Sequence, residues 1–277
     1  MKSLFSHLLL QSLILLVIGV GALRPAEAQS RFDHAHNNWD ALLQRHVVEI
    51  SGGVASQVDY RGMLADREDL RSYLDTLAAV EREQFEGWAA TDQLAFLINA
   101  YNAWTVELIL GEYPQLDSIR DLGSLFRSPW SRKIVPLFGT QVSLDYIEHE
   151  LIRGADGFAE PRIHFAVNCA SIGCPALRPS AYVGERLEQQ LEAATQLFLA
   201  DRTRNRLDGN TLRVSEIFDW YKEDFEQGWR DTWSVAQFLV RYSDALGLPA
   251  EVTQALARDS VRIRYLNYDW SLNDRRR

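Results

Sequence analysis

Hydrophobic positions along the chain predict a helix-rich protein with a few short strands. Apolar residues recur every three or four positions, the spacing of helices that bury one face, in segments 39–50, 66–110, 144–153, 185–199, 216–225, 233–246 and 251–257. Alternation or hairpin turn signals predict short strands in segments 54–60, 133–142, 163–168, 204–214 and 263–270. We therefore predict an α+β fold, in which one helix-rich domain packs around a small antiparallel sheet.

The most apolar predicted helix, 93–110, carries two amide side chains one turn apart. Asn99 and Asn102 lie within a broad stripe of leucine, isoleucine and tyrosine. Amides that are buried in such a helix need hydrogen-bond partners. They either bond the backbone of a neighbouring segment, or face a ligand and orient a catalytic group. The sequence leaves both alternatives open.

A second group of polar residues is predicted where a strand ends in a loop. The segment 162–175 reads RIHFAVNCASIGCP and contains both cysteines of the chain. Alternation predicts a strand that ends at about 168, because serine, glycine and proline follow it. Loops on a rigid scaffold commonly carry functional side chains, so this segment is the predicted site region. Its polar and sulfur side chains are His164, Asn168, Cys169, Ser171 and Cys174.

The helix predicted after Ser143 has a charged face. Asp145, His149 and Arg153 follow one another at intervals of four residues, and Glu148 lies beside them. A carboxylate one turn before a histidine can orient the ring or raise its basicity. The alternative is an exposed face of salt bridges without a catalytic role.

The first residues predict export. Lys2 precedes an apolar segment, 8–23, and a small-residue pattern ends at Ala28. This arrangement is typical of a cleaved signal peptide, so we predict that 1–28 is removed and that 29–277 folds as one domain. The apolar segment is short for a membrane span, and no later segment is long enough. The protein is therefore expected to be periplasmic or secreted.

Composition excludes some partners. The formal net charge of −9 argues against binding to a phosphate backbone. His34 and His36 lie in a polar segment, where we expect them to be solvated rather than to bind a metal. No histidine or cysteine spacing is that of a zinc site, and we predict no cofactor.

A small molecule, peptide or glycan of the cell envelope is the expected partner.

Several blocks of the sequence resemble a known family. LINAYNA at 97–103, SLDYIEH at 143–149, HFAVNCASIGCP at 164–175 and YDWSLN at 268–273 resemble, in this order, the family catalogued as domain of unknown function 547. The resemblance is to its exported bacterial members. It implies that the family domain spans about 84–199 and that these blocks belong to one module. The family name supplies no reaction.

The first functional hypothesis is a cysteine-dependent hydrolase or acyl transferase. Such an enzyme needs a thiolate, a histidine within hydrogen-bond reach and a group that orients the histidine. We predict Cys169 as the nucleophile and His149 as its base, because a regular strand would carry His164 away from Cys169. The predicted catalytic residues are Cys169, His149, His164 and Asn99. The predicted binding residues are Asn102, Asn168, Glu148 and Ser171.

The alternative hypothesis is non-catalytic. Cys169 and Cys174 are five positions apart, close enough for a disulfide if the loop curls, and export favours such a bond. A bridged loop would belong to an envelope scaffold or to a module that binds glycans or peptides. Tryptophan residues that could line a groove in such a module are Trp130, Trp220, Trp229, Trp233 and Trp270.

Overall fold

The computed structural model describes residues 32–124, 127–154 and 157–275. The predicted signal peptide, 1–28, lies outside these ranges. The chain from Phe32 onwards forms one unit. Within the described residues, no helix is both long enough and apolar enough to cross a membrane.

Helices make up most of the regular structure. The α-helices are α1 (Asn37–His46), α2 (Tyr60–Ala65), α3 (Arg67–Ala78), α4 (Arg82–Glu86), α5 (Ala90–Leu110), α6 (Leu144–Tyr146), α7 (Leu187–Ala200), α8 (Ile217–Trp220), α9 (Lys222–Phe225), α10 (Val235–Arg241) and α11 (Ala250–Leu256). Short 3₁₀ helices are Ser51–Gly53, Ile119–Leu122, Pro129–Ser131, Pro161–Phe165, Gly184–Arg186 and Trp229–Asp231, and Ile147–Ile152 is a π-helix.

Within the described residues, the strands form three small sheets. They are β1 (Val47–Ile50), β2 (Ala55–Val58), β3 (Val135–Leu137), β4 (Thr140–Val142), β5 (Arg206–Asp208), β6 (Thr211–Ser215) and β7 (Arg262–Leu266). Antiparallel pairs join β1 to β2, with Val47 opposite Val58, and β3 to β4, with Val135 opposite Val142. The third sheet pairs β5 with β6 antiparallel and β6 with β7 parallel. These elements confirm the α+β prediction.

Two features of the sheets differ from the expectation. The strands divide among separate sheets instead of one, because the helices between them bury most of the apolar surface. β7 also lies parallel to β6, with Thr211 opposite Arg262. The helices α8 to α11 separate these two strands, and such a long helical crossover returns the chain in the same direction.

The central helix is α5, and its sequence explains its position. Almost every side chain from Leu94 to Leu110 is buried, and α3 packs against it. A helix that is apolar all round cannot leave a face in water, so the fold surrounds it. The helix begins at Ala90, slightly before the predicted start, and ends where Gly111 follows Leu110.

The strand predicted at 163–168 is wrong. Residues Pro161–Phe165 form a 3₁₀ helix, with proline at its first position and the Glu160 carboxylate accepting the backbone N–H of Arg162. Alternating polar and apolar residues predicted a strand with one buried face and one face in solvent. In the structure both sets of side chains are buried, so the alternation does not mark a solvent-exposed face. Ile163 packs into the core around α5, whereas Phe165 packs into a second core formed by α7 to α11. The segment therefore joins the two hydrophobic cores.

The prediction that His36 is solvated is also wrong. Its side chain is buried, and its Nδ1 lies 2.7 Å from the Tyr73 hydroxyl. Phe32 packs edge-on against the ring. The polar neighbours that suggested exposure turn outward, whereas this one side chain turns into the core.

Candidate functional site

A histidine, an aspartate and an arginine meet in the interior between the two cores. The His164 Nε2 lies 2.6 Å from an oxygen of Asp224, which belongs to α9. Arg153 donates two hydrogen bonds to the same carboxylate, of 2.5 and 3.1 Å. Burial lowers the pKa of His164, although the Asp224 carboxylate opposes the shift. Burial alone would raise the pKa of Asp224, but hydrogen bonds from His164 and Arg153 lower it to about 2.

Tyr221 covers this group. Its ring stacks on His164 with centroids 3.9 Å apart, and the guanidinium of Arg153 lies 4.7 Å from its centroid. His149 stacks on Tyr221 at 6.3 Å and remains exposed. The half-buried Tyr221 therefore separates a buried histidine from one that faces solvent.

Glu148 enters the interior because the helix widens. After α6, which Ser143 caps as predicted, the Arg153 N–H bonds the Glu148 carbonyl, five residues back. This π-helical spacing turns Glu148 inward and leaves His149 outside. Burial, and next the negative charge of Glu148, raise the pKa values of Tyr101 and Tyr221, which both donate toward that carboxylate. The two phenols therefore stay protonated.

The two cysteines form a disulfide next to a tyrosine. The Cys169–Cys174 bond has an S–S distance of 1.94 Å and a Cα–Cα distance of 6.0 Å. The Tyr268 hydroxyl lies 3.0 Å from the Cys169 sulfur and 3.1 Å from the Cys174 sulfur. Burial raises the pKa of Tyr268, so it remains a hydrogen-bond donor to these sulfurs. In this state neither cysteine offers a thiolate.

A late segment of the chain holds the disulfide loop in place. The backbone N–H of Ile172 donates to Ser271, and that of Gly173 donates to Asp269. The N–H of Asn273 donates in turn to the carbonyl of Ala170. Segment 268–273 therefore lines the loop along its length.

The amides predicted as site residues bind backbone. Asn99 accepts from the Tyr182 N–H at 3.0 Å and donates to the Tyr182 carbonyl at 2.7 Å. Asn102 donates to Ala166 and accepts from the N–H of Asn168. Both amides therefore bond the backbone of neighbouring segments, which was the first of the two alternatives that the sequence left open. These bonds hold the neighbouring segments against α5.

The remaining loop residues have similar contacts. The Asn168 side chain donates to the carbonyl of Pro175 at 2.8 Å and accepts from the N–H of Ala170 at 2.9 Å. The hydroxyl of Ser171 is buried and donates to the carbonyl of Cys169. These bonds shape the loop around the disulfide.

The structure brings together only part of the predicted set. Glu148 and His164 share one cluster, in which Tyr101, Arg153, Tyr221 and Asp224 are the other members. His149 lies at the exposed edge of this cluster, where its ring stacks on Tyr221. Cys169 contacts Ser171 and Tyr268, and within the described residues its polar contacts include no histidine. The sequence prediction missed Tyr101, Tyr221, Asp224 and Tyr268, because no local pattern marks a residue that reaches the site from a distant segment.

Partly exposed aromatic rings lie next to the disulfide. We call Trp130, Trp220, Tyr268 and Trp270 the aromatic surface. The rings of Trp220 and Trp270 stack with centroids 5.6 Å apart, and Tyr268 lies within 4.8 Å of both. Trp130 extends the group, 5.8 Å from Trp270. Trp229 and Trp233, also predicted to line a groove, contact other residues.

We expect native alkylation to leave both cysteines unlabelled. Iodoacetamide should modify neither Cys169 nor Cys174 in the folded protein without reductant, because a disulfide has no thiolate. Both should be modified after reduction and unfolding, which mass spectrometry would detect. Fast labelling of Cys169 in the native, unreduced protein would contradict the bridge and favour the cysteine-dependent enzyme.

These features define an α+β protein with a buried acid–base cluster beside a disulfide loop. Within the described residues, no group of three or more histidine, cysteine or carboxylate side chains is arranged to hold a metal. The model of the family described as "Protein of unknown function, DUF547" matches residues 85–199, which supports the resemblance seen in the sequence. The matched segment contains Glu148 and His164, whereas Asp224 lies beyond it. Comparisons with curated proteins and with solved structures found no match.

Proposed function

We propose that this protein is a hydrolase that cleaves acyl esters by general-base catalysis, with His164 as the base. The observation that carries the proposal is the state of the two ring nitrogens. Nε2 bonds the Asp224 carboxylate, whereas Nδ1 is buried and has no hydrogen-bond partner among the residues that the structure describes. An unpaired buried nitrogen costs about 1–3 kcal/mol, so its presence calls for an explanation, and a role as a proton acceptor is one.

The protonation states favour a base at Nδ1. Because burial lowers the pKa of His164, the ring is neutral at pH 7, while Asp224 is ionised. The carboxylate therefore fixes the proton on Nε2, and the lone pair is on Nδ1. Arg153 holds Asp224 in place through its two hydrogen bonds. The arrangement is that of an oriented general base.

The proposed reaction uses water as the nucleophile. Nδ1 takes a proton from water as the water oxygen bonds to the acyl carbon. The phenol of Tyr101 stabilises the resulting oxyanion once its O–H turns from the Glu148 carboxylate to the substrate. When the ester C–O bond breaks, the leaving oxygen takes the proton from Nδ1, which gives an acid and an alcohol. The half-buried ring of Tyr221 covers His164, so it must move to admit the substrate.

This proposal keeps the hydrolase class that the sequence suggested and changes the catalytic group. A cysteine nucleophile would need the Cys169–Cys174 bond to be reduced first. The predicted export belongs to the same proposal: a signal peptide at 1–28 would deliver the enzyme to the periplasm or the medium. Its support is the sequence pattern of those residues.

Hydrolysis of p-nitrophenyl acetate tests the base. We expect H164A and D224N to lower the rate about tenfold on this small probe, since general bases contribute roughly 10²–10⁴-fold on well-bound substrates. The wild-type rate should stay level down to below pH 6.5, because the pKa of His164 is lowered, and should then fall as Nδ1 becomes protonated.

The matched control is H149A. His149 is an exposed imidazole that contacts the same tyrosine, so it reports hydrolysis by any accessible histidine. The Nδ1 of His149 also lies 2.5 Å from Arg153, but Arg153 keeps its two hydrogen bonds to Asp224 without it, so the H149A rate should stay close to that of the wild type. A wild-type rate no higher than that of buffer, or equal rates in H149A and H164A, would overturn the proposal.

A further inference from the structure

We infer that the aromatic surface binds a neutral glycan chain. That this glycan also carries the ester to be cleaved rests on the proposed function, but the binding itself does not. Trp220 is 43% exposed and stacks on Trp270 with an angle of 25° between the ring planes. Among the described residues, Trp220 is one of the few large hydrophobic side chains that are exposed, and a cluster of rings that reaches the surface around it points to a ligand.

The rings are held in place before any ligand binds. Tyr268 is fixed by its hydroxyl, which lies against both sulfurs of the disulfide. The carbonyl of Trp270 accepts a 2.7 Å hydrogen bond from Ser118, and the guanidinium of Arg120 lies 5.3 Å from the Trp270 ring. Little side-chain entropy is then lost on binding, which favours affinity for a weakly interacting ligand such as a sugar.

The chemistry of the surface favours a glycan. A sugar ring has a face of C–H groups, which packs on a flat aromatic ring, and hydroxyls around its edge that need donors and acceptors. Asp269 and Asn267 are exposed beside Tyr268 and provide such groups. Asn267 and Asp269 line a cleft of about 280 Å³ together with Tyr268. The cleft extends to Arg204 and Ile172. The net charge of −9 disfavours a polyanionic chain.

The aromatic surface adjoins the acid–base cluster. Trp220 is followed directly by Tyr221, the ring that covers His164. The charge of Glu148 also contributes to the raised pKa of Tyr268, after burial and the opposing charge of Arg204. A glycan on the surface would therefore lie beside the proposed base, and an acyl group on one of its hydroxyls could enter the cluster.

Titration with neutral oligosaccharides tests the inference. Chitotetraose, cellotetraose and maltotetraose would be added to the protein, with binding followed by calorimetry and tryptophan fluorescence. We expect at least one to bind, and W220A and W270A each to raise its Kd about tenfold, the loss of one aromatic contact. W233A is the matched control: Trp233 is 64% exposed, lies outside the aromatic surface, and should leave Kd unchanged.

The outcomes separate the two proposals. D224N should bind the glycan as the wild type does, so its failure in ester hydrolysis would be a loss of chemistry and not of binding. Absence of binding by all three oligosaccharides would overturn the inference, as would equal Kd values in wild type, W220A and W270A. Equally tight binding of a tetra-alanine peptide would overturn it too and would assign the surface to peptides instead. Matching circular dichroism spectra would show that the variants fold.

Discussion

Replacing Arg162 with Met should lower the free energy of unfolding by about 3 kcal/mol, because the change leaves the largely buried carboxylate of Glu160 without its partner. The Arg162 side chain is only 1% exposed, although it is charged. It makes two hydrogen bonds to Glu160, of 2.7 and 2.8 Å, and two to Glu188, of 2.7 and 3.0 Å. A further 3.1 Å bond reaches Glu192, and the guanidinium lies over Trp229.

Most of the expected loss in the free energy of unfolding comes from the Glu160 carboxylate. Its side chain is 14% exposed and cannot regain full hydration, whereas Glu188 is 61% exposed and can. Methionine fills a similar volume, so the change removes charge and hydrogen bonds more than packing. Urea denaturation at pH 7 would measure the difference between variant and wild type.

R213M is the control for Arg162. Arg213 also pairs with a carboxylate, Asp208, at 2.9 Å, but both side chains lie largely in solvent. Such pairs contribute at most about 1 kcal/mol. If R162M and R213M lost the same free energy, burial of the Arg162 network would not matter and the argument would fail.

Acid should destabilise the protein through His36, by about 3 kcal/mol between pH 7 and pH 4. Burial lowers the pKa of His36 to about 4, against the opposing charge of Asp33, while a histidine in the unfolded chain titrates near 6.5. Above pH 6.5 both states hold the neutral ring. As the pH falls from 6.5 to 4, the unfolded state binds a proton that the folded state does not, so stability decreases. Below pH 4 both states are protonated and the loss is complete.

H36N isolates this contribution. The backbone of His36 has a φ of 52°, in the left-handed region that asparagine tolerates better than most residues. The variant loses stability at pH 7 because it packs less well, but it cannot titrate. Urea denaturation at both pH values should show a smaller decrease for H36N than for the wild type, by about 3 kcal/mol. Equal decreases would mean that His36 is protonated in the folded protein.

Local patterns predicted the long helix and the hairpins. The apolar segment of α5 has no polar face, so it can only be a buried helix, and Asp208-Gly209-Asn210 marks the turn between β5 and β6. The parallel pairing of β7 has no such local mark, because it depends on the path of four intervening helices. Local sequence patterns therefore predicted the long helix and the hairpin. The pairing of β7 depends on tertiary packing, which those patterns do not show.

The candidate site was harder to predict, for two physical reasons. The inward turn of Glu148 depends on a π-helical hydrogen bond, and helical periodicity assumes the ordinary spacing. The partner of His164 is Asp224, sixty positions away in the chain, within an unremarkable charged segment. Sequence spacing suggested His149 for the role of base, since it could not show that Tyr221 lies between His149 and the buried ring.

The late segment that lines the disulfide loop sets an order of events during synthesis. Tyr268 follows Cys174 by 94 positions, so the ribosome releases the loop long before its support. Pairing over so long a distance closes slowly, after local helices have formed. A nascent chain that ends before residue 268 therefore contains both cysteines. It lacks Tyr268, Trp270 and the backbone that supports the disulfide loop. If the chain is exported before it folds, the proposed binding and hydrolysis would begin only after segment 268–273 has left the cytoplasm.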